Sequence, residues 1–277
     1  MSVKIAGAQI DVAFERPSEN LERLCDVCNT CCDAGAKLII FPECALTGYC
    51  FDSFEQAAAV AEPIPGPSSN RVAHICRERN CYAIFGLLEL DGERLFNAVA
   101  VVGPDGLVGS YRKIHLPHLG VDRFVTPGDR PFAVYDLGGL RVGVNICYDG
   151  SFPESARALA LQGADLIALP TNWPPGAECA AEHMIATRAM ENRVYYAAIN
   201  RIGHESGFDF IGCSQIADVN GSPLAVAKHA KEEILYAEID PQRARDKHII
   251  RVAGEHEIHR FADRRPEMYG DLVAKWK

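Results

Sequence analysis

The stretch from Leu140 to Glu154, Leu-Arg-Val-Gly-Val-Asn-Ile-Cys-Tyr-Asp-Gly-Ser-Phe-Pro-Glu, constrains the fold more than any other. In its first half Val142, Val144 and Ile146 alternate with Arg141, Gly143 and Asn145, the period-2 pattern of a partly buried strand. Asp149 and Gly150 then supply a sharp turn. Ser151 can cap a helix whose first turn holds Pro153 and Glu154. Cys147 therefore falls where a strand gives way to a helix. At such a junction a side chain can be exposed while nearby backbone N–H groups stay free, as in other nucleophile elbows. A cysteine taken alone is more often a small core residue, so the rest of the chain must decide between packing and chemistry.

Two further strand ends carry reactive groups. Val3–Val12 reads as a strand and Glu19–Ala34 as an amphipathic helix closed by Gly35. Lys37–Phe41 is nearly all apolar, the mark of a strand buried on both faces, and it ends at Pro42-Glu43. Open α/β sheets place their ligands at that carboxyl end, so Glu43 is either a loop acid or a base tuned by burial. After a helix ending near Arg79 come the strands Tyr82–Leu90 and Phe96–Val102 around Asp91-Gly92, then Leu107–Ile114. These hairpins make the sheets mixed. Lys113 lies at the end of the third.

The second half adds a hairpin (Phe132–Tyr135 with Arg141–Cys147), a helix over Ser151–Gly163 and a buried strand over Ala164–Leu169. A helix over Ala180–Arg193 and strands at Tyr195–Ile199, Gly212–Ala217, Ala225–His229 and Ile234–Ile239 complete it. Each half runs helix, buried strand, Pro-containing loop, which predicts two similar packed layers. No linker or low-complexity tract divides the chain, so residues 1–277 read as one domain, with residues 245–277 as a charged C-terminal arm.

The three residue types fit together chemically. A thiol near its ordinary pKa is mostly protonated at neutral pH. A neighbouring base can take its proton and later deliver it to a leaving amine. Glu43 suits that role, Lys113 can stabilise a thiolate and an oxyanion, and the backbone N–H of Tyr148 is a natural second oxyanion donor. The set suits attack on a carbon bonded to nitrogen, through a thioester, without a metal or organic cofactor.

Composition excludes other classes. A net charge of −9 argues against non-specific nucleic-acid binding. No apolar run of about 18 residues predicts a membrane span, and the N-terminus reads as a strand rather than a signal peptide, so a cytoplasmic location is expected. Eleven cysteines without a secretory signal are expected to be thiols. Cys25, Cys28, Cys31 and Cys32 recur at helical spacing with Leu21 and Leu24, and no second Cys-x-x-Cys occurs. They are expected to pack in the core rather than bind metal or cycle redox. His115 and His118 flank Leu116-Pro117 and could suggest a Cys–His dyad, but the Glu/Lys pair already supplies the acid–base work. Glu191 is expected to pair with a nearby Arg. Asn172 and Trp173, after a buried strand, and Tyr49 are expected to contact substrate.

Four stretches in order identify the chain as resembling the nitrilase superfamily of carbon–nitrogen hydrolases: Phe41–Tyr49 (Phe-Pro-Glu-Cys-Ala-Leu-Thr-Gly-Tyr), Tyr111–Pro117 (Tyr-Arg-Lys-Ile-His-Leu-Pro), Asn145–Glu154, and Arg188–Arg193 running to Asn200-Arg201. The resemblance implies a Glu-Lys-Cys triad at Glu43, Lys113 and Cys147. It implies a four-layer α-β-β-α sandwich with two mixed sheets, dimerising to an α-β-β-α-α-β-β-α stack. Many members carry a second Glu after the Lys motif; here Asp122 is the only acid between that motif and Pro127-Gly128. Asp122 is therefore expected to hold Lys113 or position the substrate nitrogen. Nitrile-hydrolysing members usually have Trp-Glu after the Cys, whereas Tyr148-Asp149 resembles the amidase and carbamoylase branches. Gly150 and Ser151 stand where the omega-amidase branch often has an Arg, which weakens the case for a substrate carboxylate bound there. The expected partner is a small amide or carbamoyl compound. A catalytically silent member of the fold acting as a binding protein, or a nitrilase, are the alternatives.

Overall fold

The computed structural model describes residues 2–275. In chain order its first half contains β1 (Val3–Gln9), α1 (Pro17–Asp33), β2 (Leu38–Ile40), α2 (Phe54–Ala58), α3 (Pro67–Arg79), β3 (Tyr82–Asp91), β4 (Arg94–Gly103) and β5 (Gly106–Arg112). Its second half contains β6 (Val134–Leu137), β7 (Leu140–Val144), α4 (Pro153–Leu161), β8 (Leu166–Thr171), α5 (Ile185–Asn192), β9 (Tyr195–Asn200), the small hairpin β10–β11 (His204–Glu205, Phe208–Asp209), β12 (Gln215–Ala217), β13 (Pro223–Val226), β14 (Glu233–Ile239), α6 (Pro241–Arg245) and the hairpin β15–β16 (His248–Val252, His256–His259).

The strands form two six-stranded mixed sheets, ordered β14-β1-β2-β3-β4-β5 and β13-β12-β9-β8-β7-β6. Each has a parallel trio, β1-β2-β3 in one and β7-β8-β9 in the other, flanked by antiparallel strands. The half-to-half likeness in sequence is thus a repeated sheet. Period 2 sorts the side chains into layers. Ile5, Leu38, Ile40, Ile84 and Val99 meet Val142, Val144, Leu166, Ala197 and Ile199 between the sheets. The alternate residues Ala6, Ala8, Ile39 and Phe85 face α1 and α3, whereas Ile167, Leu169, Tyr196 and Ala198 face α4 and α5. This is the α-β-β-α sandwich. The sheets pass closely at Gly7, where a Cβ would lie 2.2 Å from Ile199 Cδ1.

Helix α1 starts on Pro17 and buries Leu24, Cys25, Val27, Cys28 and Cys31, so the cysteines pack as small apolar groups. Some boundaries differ from the sequence reading. The cap of α4 is Phe152, not Ser151; Ser151 closes a 3-10 turn over Cys147–Ser151. The helix expected over Ala180–Arg193 opens with one π turn at Ala180–Met184. Residues 248–259 of the arm form a hairpin. No helix among the described residues is long and apolar enough to cross a membrane, and none of their His, Cys, Asp and Glu side chains group to hold a metal ion.

Candidate active site

The site is built from the carboxyl ends of strands. Glu43 follows β2, Lys113 follows β5 and Cys147 follows β7. Glu43 can turn out of the sheet because β3 has a glycine beneath it. A Cβ on Gly86 would lie 2.3 Å from the Cys44 backbone nitrogen and 2.8 Å from Glu43 Cα. The Lys113 N–H donates to the Asn97 carbonyl at 2.8 Å, which extends the β4–β5 ladder and fixes where the lysine stem leaves it. Cys147 opens its 3-10 turn with φ +43°, a left-handed conformation that costs a non-glycine residue roughly 1–2 kcal/mol.

Lys113 Nζ donates to Glu43 Oε1 at 2.7 Å and to Asp122 Oδ2 at 2.5 Å, and none of the three side chains reaches solvent. Asn97, 1% exposed, bridges the same two acids: its Nδ2 donates to Glu43 Oε1 at 2.7 Å and Asp122 Oδ1 at 2.9 Å. The Tyr49 hydroxyl lies 2.8 Å from Asp122 Oδ2, and the Lys113 ammonium sits 5.8 Å from the centre of the Tyr49 ring. Asp122 therefore contacts Lys113 directly. Glu43 Oε1 is occupied twice, while Oε2 is buried with no hydrogen-bond partner.

Burial pushes the Glu43 carboxyl up; Lys113 partly offsets this, and the Asp122 charge adds to it. Burial disfavours the Lys113 ammonium, but Glu43 and Asp122 hold it well above the ordinary lysine value. The Cys147 thiol is pushed up to about 12, first by burial and then by the Glu43 charge, against Lys113, the Thr171 hydroxyl and the Asn172 backbone N–H. The resting sulfur is thus a thiol, and the charges of Glu43 and Lys113 act on it in opposite directions. The residue as a whole is partly buried.

The remaining candidates divide. Asn172 is 1% exposed and both atoms of its side-chain amide lack partners, which fits a group held ready for a ligand. Trp173 packs in the α4–α5 core layer, its backbone N–H on Asn200 Oδ1. Tyr148 turns outward, edge-on to Phe152 at 5.1 Å. His115 joins Asp149 rather than Cys147, and Glu191 pairs with Arg188 at 3.0 Å. A surface cavity of 280 Å³ borders Leu119 and Gly120 but includes none of Glu43, Lys113 and Cys147.

Three contributors escaped the sequence reading. Asn97 is a lone amide in the apolar run of β4, a signal that was there to be used. Thr171 ends β8 beside the sulfur. Glu205 accepts the backbone N–H groups of Tyr49 and Cys50 and pairs with buried Arg201, so it fixes the backbone at Tyr49; nothing in the surrounding sequence marks it.

A buried carboxylate, an ammonium and a thiol thus stand at three strand ends of an α-β-β-α sandwich. The chain belongs to the carbon–nitrogen hydrolase family, whose model matches residues 4–248, and thus to the nitrilase superfamily. It is 40% identical over 268 residues to a nitrilase of Pyrococcus abyssi, covering 96% of this chain and 99% of the relative. It is 31% identical over 290 residues to an omega-amidase of Homo sapiens, covering 99% of each. Among solved structures it resembles an amidase from Nesterenkonia, 26% identical with a TM-score of 0.75, covering 88% of this chain and 96% of that one. That structure is a glutamate-to-glutamine variant showing Michael addition of acrylamide at the active-site cysteine.

Proposed function

We propose that this carbon–nitrogen hydrolase cleaves a small amide or N-carbamoyl compound through a thioester on Cys147, releasing ammonia. The observation that carries the reading is the free Oε2 of buried Glu43, whose other oxygen is fixed by Lys113 and Asn97. The Cys147 sulfur attacks the carbonyl carbon as its proton passes to Glu43. Charge moves to the carbonyl oxygen, faced by the Lys113 ammonium and the Tyr148 N–H. Collapse breaks the carbon–nitrogen bond, and Glu43 returns the proton to the departing nitrogen as ammonia leaves. Water then attacks the thioester, giving a proton to Glu43; the carbon–sulfur bond breaks and the sulfur is reprotonated. With a carbamoyl substrate the product carbamate loses carbon dioxide and leaves an amine. Asp122 stands in for the second family glutamate by holding Lys113, and Asn172 and Tyr49 form the substrate wall.

A second reading, nitrile hydrolysis, draws on the Pyrococcus abyssi nitrilase. Ammonia release from a panel of amides, N-carbamoyl amines and acids, and nitriles, with Cys147→Ala in parallel, separates the two. Release from an amide or carbamoyl class, lost in the variant, is expected. No release from any compound, with no acyl adduct on Cys147 by mass spectrometry, would leave a binding protein.

The working unit is proposed to be a homodimer joined through the α4–α5 layer. Leu161 and Met190 are exposed on those helices, and Ile250, Val252, Leu272 and Val273 are exposed in the C-terminal segment, where a second copy would cover them. Light scattering at the mass of one chain would reject this.

A further inference from the structure

We propose that Asp149 is a positioning residue that sets the spacing between Lys113 and Cys147, its one carboxylate tying the residues on either side of Lys113 to the residue before Cys147. The inference rests on the reading of Lys113 and Cys147 as catalytic groups.

The geometry is a four-point clamp. Asp149 Oδ2 accepts from the Tyr111 hydroxyl at 2.7 Å and from the Ile146 backbone N–H at 3.0 Å. Oδ1 accepts from the His115 backbone N–H at 3.1 Å, and the His115 Nδ1 lies 2.7 Å from it. Tyr111 and His115 stand two residues before and two residues after Lys113. Ile146 immediately precedes Cys147. One side chain thus holds the Lys113 segment of the first sheet against the nucleophile turn of the second.

The carboxylate is fully buried and is met by donors on both oxygens. A carboxylate offers about four acceptor sites and no donor, so it satisfies this arrangement completely. An amide cannot, because its NH₂ would face donors in either orientation. Asp149 also shapes the turn directly: its own N–H donates to the Ile146 carbonyl at 2.9 Å, and its carbonyl accepts from the Ser155 hydroxyl at 2.8 Å. The clamp is supported from outside by the His115 ring, which stacks on Phe152 at 3.7 Å between centroids. The strained φ of Cys147 needs such support. The nucleophile is thereby registered against Lys113, although the two sit on different sheets.

The test reads Cys147 itself, so that it does not depend on finding the substrate. The rate of acrylamide adduct formation on Cys147 is followed by mass spectrometry in the full-length protein, with circular dichroism and thermal melting to confirm folding. Asp149→Asn is expected to lower the adduct rate about tenfold or more, and Asp149→Glu, which keeps a carboxylate, is expected to recover part of the loss. With any substrate that releases ammonia, kcat should fall by the same factor while KM changes little. Tyr111→Phe removes one donor and leaves the carboxylate in place; it is expected to slow the adduct about threefold and serves if Asp149→Asn does not fold. A folded Asp149→Asn with an unchanged adduct rate would overturn the proposal. So would equal losses in Asp149→Asn and Asp149→Glu, or an unchanged rate in Tyr111→Phe. If the wild type forms the adduct but releases no ammonia, the proposed function fails while the adduct rates still decide the clamp.

Discussion

Lys113 Nζ and Glu43 Oε1 lie 2.7 Å apart with neither side chain exposed, and the Cys147 thiol feels both charges. The Glu43 charge raises the thiol and the Lys113 charge lowers it. Glu43→Gln keeps the shape of the side chain and removes the raising charge. Its thiol is expected to titrate below the wild-type value of about 12, so the alkylation profile with iodoacetamide should shift to lower pH. Amide hydrolysis should fall about 10²–10⁴-fold, the usual worth of a positioned acid–base group. A shift to higher pH, or persistent ammonia release, would reject the assignment of Glu43 as base.

Asp122 is one of the two acids on Lys113, and its charge raises the Glu43 carboxyl. Asp122→Asn takes that charge away. The Glu43 carboxyl then ionises at lower pH, so the acid limb of kcat/KM should move to lower pH. Lys113 loses one of its two counter-charges, and the rate should drop by about tenfold or more, the equivalent of roughly 1.4 kcal/mol. Full activity with an unchanged pH profile would leave Asp122 as a bystander.

The backbone of residue 43 depends on the missing side chain at Gly86. In Gly86→Ala the new methyl group meets backbone atoms of Cys44 and Glu43, which cannot swing aside as a flexible side chain would. Overpacking of this kind costs about 1–3 kcal/mol. A displacement of about 1 Å at a catalytic group can cost 10²-fold in rate. The variant should melt early and lose activity beyond what its folded fraction explains. Calorimetry paired with ammonia release checks this, and normal turnover by a folded variant would count against it.

The layers were legible because the strands alternate cleanly. The odd and even positions of Ile5–Ala8, Leu38–Ile40 and Leu166–Leu169 go to different cores, as period 2 requires. Strand ends pointed to Glu43, Lys113 and Cys147 because reactive side chains stood where apolar runs stopped. What could not be read was contact across the two sheets. Asp149 looks like a turn residue in sequence, yet its carboxylate reaches the strand end 34 residues earlier. Glu205 acts 156 residues away, on the N–H of Tyr49. Such partners are set by how the sheets stack, and no local period encodes them. The cap at Phe152 was missed for a related reason. The 3-10 turn after Cys147 consumes Ser151 and delays α4, with Pro153 as its first residue.

The cysteines of α1 give the last prediction. Cys25, Cys28 and Cys31 are buried under α3 and sheet one, with Cys76 and Cys81 in the same core layer. Burial pushes the Cys31 thiol up to about 12 and Cys28 well above its ordinary value, so neither is poised to react. Cys179 is exposed. In the folded protein an aromatic disulfide reagent should modify Cys179 first, and Cys25, Cys28 and Cys31 only on denaturation. Cys28→Ala should cost roughly 1–2 kcal/mol through the small void it leaves, while hydrolysis is retained. Added zinc or a chelator should leave the melting temperature unchanged. Rapid titration of Cys25 and Cys28 in the native protein, or a melting temperature that falls with the chelator, would contradict the packing role, because a thiol held in a close-packed layer reacts only when that layer opens.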